Sequence, residues 1–302
     1  MNARSGMGGA VRIGISGWRY AGWRGNFYPE GLAQRRELEY AASRFPTVEI
    51  NGTFYSLQRP ESFAQWYDHT PDGFQFSVKG GRYITHYLKL KNAETALANF
   101  FASGMLLLRE KLGPILWQFP AQMPLDMEKF EAFLSVLPRT TGEVARWARR
   151  HDERLEGRAW VKPGPLREVR HAVEVRHDSF FVPAFIKLLR REQVALVVSD
   201  GAENWSTFED VTAPFVYVRL HGSEQLYVSG YSDSELDGWG RKVTAWAEGR
   251  DPRGARRVMP ACAAGKARDV YVYFDNDAKV RAPVDAQGLI RRVERPRLRR
   301  AG

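Results

Sequence analysis

Four short segments of this 302-residue chain set two chemically active side chains two residues apart: Glu49 and Asn51, Ser77 and Lys79, Glu174 and Arg176, Arg219 and His221. In each, one apolar residue separates the pair, and each closes a strand-like run. Side chains alternate across a strand, so the two members of a pair share one face at the strand's C-terminal end. A parallel sheet closed into a barrel gathers such ends at one mouth, where barrels of this type keep their chemistry.

Residue type then suggests roles. Carboxylates at a barrel mouth act as general acid, general base or metal ligand. Glu49 and Glu174 read as an acid–base pair, with His221 assisting because imidazole exchanges protons near neutral pH. Lys79, Arg176 and Arg219 are cations to hold an anion, and Asn51 and Gln118 are amides to orient it. The same residues admit a structural reading, with Glu174 paired to Arg176 and Glu49 to Lys79, because a buried charge needs a partner. Asp200, Gly222 and Asn276 extend the ring. The amides of Gly222-Ser223 could cradle a phosphate, whereas Asp275-Asn276-Asp277 is also an ordinary turn sequence. His86 adds a loop cation seven residues beyond Lys79. Trp18 and Tyr55 belong to an aromatic set with Tyr20, Trp23, Phe27, Tyr28, Phe54, Tyr227 and Tyr231. Such rings stack on sugars or bases, or pack loops against each other. No metal is expected, because the cations of the mouth compete for its carboxylates. No cofactor is expected either: the chain has no dinucleotide fingerprint, Walker loop, His-Glu-x-x-His or nucleophile elbow.

Eight strand-like runs must position these residues, over 11–16, 47–51, 74–79, 113–119, 171–176, 194–200, 215–221 and 270–275. Helical patterns lie between most of them, over 32–44, from Pro60, over 93–111, 126–136 with Asp126 as cap, 180–192, 235–248 and 284–293. The link 201–214 is short and polar, without a helical pattern. Alternating strands and helices predict an α/β fold, a single TIM-type (β/α)8 barrel over 11–293. Residues 139–168 interrupt the rhythm as an arginine-rich surface excursion between strands four and five, with a short helix inside 143–155. A disordered N-terminus is expected over 1–10 and a basic disordered tail over 294–302.

Composition narrows the class. A chain that is 44% hydrophobic can bury a large core, and no apolar run is long enough for a membrane span. The polar, glycine-rich start does not read as a secretory signal, and the single Cys262 excludes an internal disulfide. A cytoplasmic protein is the expectation. The net charge of +10 is concentrated: 139–170 carries +4, and 250–268 and 291–300 carry +5 each, leaving the remainder at −4. Basic segments attract polyanions, so nucleic acid is an alternative partner to a small anionic molecule. Nothing in the sequence specifies the oligomeric state.

Several motifs together resemble a known family. Gly14-Ile15-Ser16-Gly17-Trp18, Phe27-Tyr28-Pro29, Val48-Glu49-Ile50-Asn51 with Thr53-Phe54-Tyr55, Gln118-Phe119-Pro120, Glu174-Val175-Arg176-His177, Val218-Arg219-Leu220-His221-Gly222 and Tyr273-Phe274-Asp275-Asn276 resemble the YecE-like family, domain of unknown function 72, over residues 11–293. The resemblance implies a TIM-type barrel and no particular reaction. Its barrel is similar to those of sugar isomerases and endonuclease IV, an analogy of fold that transfers no chemistry. Two departures stand out. Phe180 follows Ser179 where the family usually has tryptophan, and the 139–168 excursion exceeds the family core. The resulting expectation is an enzyme, an isomerase or hydrolase, acting at the mouth on a small anionic or polyhydroxylated substrate such as a sugar phosphate. A repair-type nucleic-acid binder and a non-catalytic small-molecule binder are the alternatives.

Overall fold

A computed structural model of the chain describes residues 8–261 and 265–299. Eight strands, β1 (Val11–Ser16), β2 (Thr47–Ile50), β3 (Gln75–Lys79), β4 (Leu112–Gln118), β5 (His171–Glu174), β6 (Ala195–Asp200), β7 (Phe215–Leu220) and β8 (Asp269–Phe274), pair in sequence order. All pairings are parallel, and β8 returns to β1 to close the barrel. The expected (β/α)8 barrel is what the chain forms, with its basic insertion between β4 and β5.

Alternation along each strand creates two cores. Outward residues such as Val48, Ile50, Val78, Trp117, Val173 and Val218 join the large layer between sheet and helices. Inward residues form a smaller cluster that includes Leu116, Ala172, Val197, Phe215, Tyr217, Tyr271 and Tyr273. Barrel interiors are filled by layers of side chains, and here the phenols must find partners. Thr47 Oγ1 lies 2.8 Å from Tyr273 Oη, and Ser77 Oγ lies 2.6 Å from Tyr217 Oη.

The helices are α1 (Glu37–Arg44), α2 (Gly52–Tyr55), α3 (Pro60–Asp68), α4 (Glu94–Ala102), α5 (Met127–Val136), α6 (Thr141–Ala148), α7 (Pro183–Arg191), α8 (Asp233–Ala247) and α9 (Arg281–Arg299). Their starts follow local chemistry. Asp126 accepts from Lys129 N, and Thr140 and Ser232 each form a reciprocal box with the glutamate three residues on. Among the described residues no helix is long and apolar enough to cross a membrane.

Several expectations change. The helix read over 93–111 is two pieces: α4 ends at Ala102, and a 3₁₀ segment runs over Met105–Lys111. Gly104 between them has φ +117, outside any helix. The 143–155 helix is α6 plus a 3₁₀ turn at Glu153–Leu155. The tail expected to be disordered from 294 instead continues α9 to Arg299, and 300–302 lie outside the described residues. At the other end, 1–7 lie outside the described residues, but 8–10 are anchored. Gly9 N donates to Ala247 O, and Ala10 N to Asp269 Oδ1.

Topology also places the basic segments. In such a barrel the loops that lead into strands lie at the N-terminal end, opposite the mouth. Residues 250–268 join α8 to β8, the excursion leads into β5, and α9 runs back from the mouth toward that same end. The excursion packs beside α4, where Asn99 Nδ2 donates to Asp152 Oδ1, and its middle brings Arg154 to the flank of the mouth.

A Cβ added at Gly104 would lie 2.6 Å from Pro60 Cα and 3.1 Å from the Phe63 ring, in a backbone conformation L residues avoid. Gly104→Ala is therefore expected to destabilise the fold by about 1–3 kcal/mol, read as a lower urea midpoint. An unchanged midpoint would show that the α4 break tolerates a side chain.

Candidate functional site

Strand register brings the polar ends together. Ser16 pairs with Glu49, Glu49 with Ser77, Gln118 with Glu174, Ser199 with Arg219 and Arg219 with Tyr273. Arg219 stands at the centre, fully buried. Its Nε and Nη2 reach the two oxygens of Glu49 at 3.2 and 2.9 Å, Nη1 reaches Glu174 Oε2 at 2.7 Å, and Nη2 reaches Asp275 Oδ2 at 2.9 Å. The planar guanidinium suits this shared recognition in a way an ammonium would not. Glu49 also accepts from Ser16 Oγ at 2.5 Å and Tyr217 Oη at 2.6 Å, so every direction around it is occupied.

Glu174 is the second anchor. Its Oε1 accepts from Arg176 Nε and Nη2 at 3.0 and 2.8 Å and from Ser199 Oγ at 3.1 Å. Arg176 in turn stacks 4.0 Å over the Trp205 ring and donates to Tyr227 Oη at 3.3 Å. His221 is wedged edge-on between Trp205 and Tyr227. Its nitrogens stand 3.3 Å from Glu174 Oε1 and 3.0 Å from Asp275 Oδ2, at ion-pair distance but without the alignment of a hydrogen bond.

These contacts set the protonation of the group. Burial would push the Glu174 carboxyl up, but Arg176, Arg219 and His221 outweigh it and hold it well below the usual carboxylate range. Asp275 is likewise held low against burial, by Arg219, His221 and Lys79. Lys79 goes the other way. Burial, then repulsion from Arg219, lowers its ammonium to about 8 despite Asp275, Glu49 and Glu174.

Above this network lies a cavity of about 920 Å³. Asn51, Lys79, Gln118, Arg176, Tyr227 and Asp275 line it, and Trp18, Phe54, Tyr55 and Trp66 form aromatic walls. Of the residues picked from sequence, Trp18, Asn51, Tyr55, Lys79, His86, Gln118 and Arg176 face this space. Glu49, Glu174, Arg219 and His221 meet one another, but wholly buried beneath the cavity and not in its lining. The alternative pairing of Glu174 with Arg176 is present, whereas the partner of Glu49 is Arg219 and not Lys79.

Three residues lie elsewhere. The Gly222 amide donates to Tyr231 Oη, which donates to Asp200 Oδ2, so these groups fasten the loop after β7 and offer no phosphate cradle. Asn276 is buried too, donating to Ser229 O and Asp285 Oδ2. Asp275 takes its place at the mouth, and parity gives the reason: Tyr271 and Tyr273 point inward, so Asp275 does as well. His86 is not a cation. Burial, then Lys79 and Arg176, lower it to about 4, and its Nε2 faces Gln118 Nε2 at 3.5 Å as an acceptor. Among the aromatics, Trp23 and Tyr28 pack the loops, donating to Asp277 O and Trp18 O. Trp205 was not among the residues picked from sequence; it comes from the helix-free link after β6, whose polar composition gave no signal for it.

Among the described residues, no three His, Cys, Asp or Glu side chains are grouped as a metal ion requires. The cation among the three carboxylates is Arg219 itself.

Comparison with known proteins agrees with this architecture. The model of a family described as "Protein of unknown function DUF72" matches residues 12–301. UPF0759 protein YunF of Bacillus subtilis is 27% identical over 296 residues, 89% of each chain. UPF0759 protein YecE of Escherichia coli K12 is 27% identical over 172 residues, 57% of this chain and 50% of that protein. The crystal structure of a DUF72 family protein (TM1631) from Thermotoga maritima superposes with a TM-score of 0.71 at 24% identity, covering 94% of this chain and 99% of that one. A second, from Enterococcus faecalis (EF0366), gives 0.66 at 18% identity, covering 94% of this chain and 95% of that one.

Removing Arg219 strands buried carboxylates, which typically costs about 3–5 kcal/mol. Arg219→Met is expected to destabilise by that order at pH 7 in urea unfolding. The depressed carboxyls of Glu174 and Asp275 give stability that is present above their unfolded pKa near 4 and lost as pH falls toward the lower folded values. The gap between wild type and variant therefore narrows below about pH 4. A gap independent of pH would contradict the shared-guanidinium network.

Proposed function

Because the chain belongs to the DUF72 family, whose function is unknown, we propose a function from the site itself: an enzyme that binds a small anionic, polyhydroxylated molecule in the mouth of its barrel. The observation that carries this reading is the charge of the cavity lining. Arg19, Lys79, Arg82 and Arg176 face it against Asp275 and Asp277, while the charges of Glu49 and Glu174 are spent on guanidinium groups below. Cations gathered in a concavity attract and orient an anion more strongly than the same charges on an open surface. Asn51 and Gln118 supply amides for hydroxyl groups, and Trp18 and Phe54 supply ring faces for a sugar or similar skeleton.

In this reading Glu49 and Glu174 do not exchange protons with the substrate. Enclosed and bonded to guanidinium groups, they fix Arg219, Arg176 and His221, and so act as positioning residues. Proton movement at the cavity falls to Lys79, with His86 as a neutral acceptor. A polyanion such as nucleic acid is the less favoured partner, because 250–268 and the end of α9 lie at the opposite end of the barrel.

Titration with inorganic phosphate and with ribose 5-phosphate, followed by calorimetry at low ionic strength, tests the reading. Both are expected to bind. Arg176→Ala and the more exposed Arg82→Ala are each expected to weaken binding about tenfold, the value of one charged contact. Arg253→Ala, at the far end, should leave it unchanged. Equal losses for Arg82→Ala and Arg253→Ala, or no binding, would defeat the proposal, and binding without turnover of any tested sugar phosphate would favour a binding module.

A further inference from the structure

Lys79 differs from the other charges at the mouth. Its backbone is fixed at the rigid end of β3: Thr53 Oγ1 donates to Lys79 O at 2.7 Å, and Gly80 N to Leu116 O at 2.7 Å. Its side chain is buried except where it meets the cavity, and its Nζ sits 4.3 Å from the centroid of the Phe54 ring. Among the described residues Nζ has no hydrogen-bond or ion-pair partner, although three carboxylates stand in the same mouth. Arg219 has taken them. An amine kept dry and close to another cation loses its proton more readily than a surface lysine, and this is how lysines become nucleophiles toward carbonyl groups.

We propose that Lys79 is the reacting group of the site, condensing through Nζ with the carbonyl carbon of a small anionic aldehyde or ketone. The inference rests on the anion-binding reading above and narrows it to carbonyl compounds. The neutral amine's lone pair forms the C–N bond while the carbonyl π pair moves to oxygen, which gains a proton as nitrogen loses one. The carbinolamine then expels its hydroxyl group with a second proton from nitrogen, forming C=N and releasing one water. No electron is gained or lost overall. A proton taken from solvent converts the imine to an iminium, which draws electrons from the adjacent carbon and so permits enolisation or cleavage of the neighbouring C–C bond. Asp275, followed by Glu49 and Glu174, favours positive charge at this nitrogen and so supports the iminium. Arg176 stands at the same cavity to hold the anionic end.

Reductive trapping provides the test. The full-length protein is incubated at pH 8 with one equivalent of dihydroxyacetone phosphate, or of glyoxylate in a parallel series, and sodium cyanoborohydride, then mapped by peptide mass spectrometry. With an amine that titrates at about 8, against about 10.4 for an exposed lysine, Lys79 should label on the order of ten to a hundred times faster than Lys91 or Lys266. Its labelling rate should level off above pH 8. Lys79→Arg should remove the fast phase only, and inorganic phosphate should slow it. Labelling of Lys79 no faster than Lys91 in the wild-type protein overturns the proposal without any variant. If phosphate still binds by calorimetry in that case, the anion-binding reading stands and the imine alone is rejected. Fast labelling that phosphate neither slows nor competes with would reject the anionic substrate class instead.

Discussion

The structure depends on one buried guanidinium. Arg219 sits on β7 inside a closed barrel, and a charge there is tolerated only when its partners are equally buried and well oriented. Glu49 from β2, Glu174 from β5 and Asp275 after β8 meet that requirement from three sides. The arrangement works because parallel register sets Ser16 beside Glu49, Gln118 beside Glu174 and Ser199 beside Arg219. It also decides which groups stay available. A carboxylate tied to Arg219 is a support, and Lys79 is left without a carboxylate of its own among the described residues.

Much of this was legible in the sequence, for a simple reason. Polar–apolar–polar endings at 49–51, 174–176 and 219–221 encode both the inward face and the end of the strand. They do not encode depth. One pleat, about 6–7 Å for two residues, separates Glu49 from Asn51 and Glu174 from Arg176, and the deeper member is enclosed while the upper one meets the cavity. His221 breaks even that rule, since Trp205 and Tyr227 close over it from loops. Tyr227 holds φ +64 there, a conformation no local pattern announces. The break at Gly104 was hidden in the same way, because a helical pattern on both sides masks one residue whose role depends on Pro60 packing against it.

The two ends of the barrel are chemically distinct. The mouth concentrates aromatic walls and a few fixed cations, while the opposite end collects arginines engaged with local carboxylates, such as Arg170 with Asp269 and Arg268 with Asp251. The first pair is partly exposed and the second is buried. The high overall charge of the chain is thus mainly a property of its far end.

The hydroxyl layer inside the barrel has a consequence for how the chain reaches its shape. Thr47 meets Tyr273 and Ser77 meets Tyr217 across sequence separations of 226 and 140 residues. Neither half of the chain contains both members of either pair, so a half-barrel would deprive the Tyr217 and Tyr273 phenols of these side-chain partners, whereas Thr47 and Ser77 would keep Gln75 O and Pro114 O as acceptors. Forming these pairs closes very long loops, whose ordering entropy opposes it. Such a barrel has little modularity: its first four and last four strands are poor candidates for independent folding units, and an evolutionary route by fusing two self-sufficient halves would have had to install this layer afterwards.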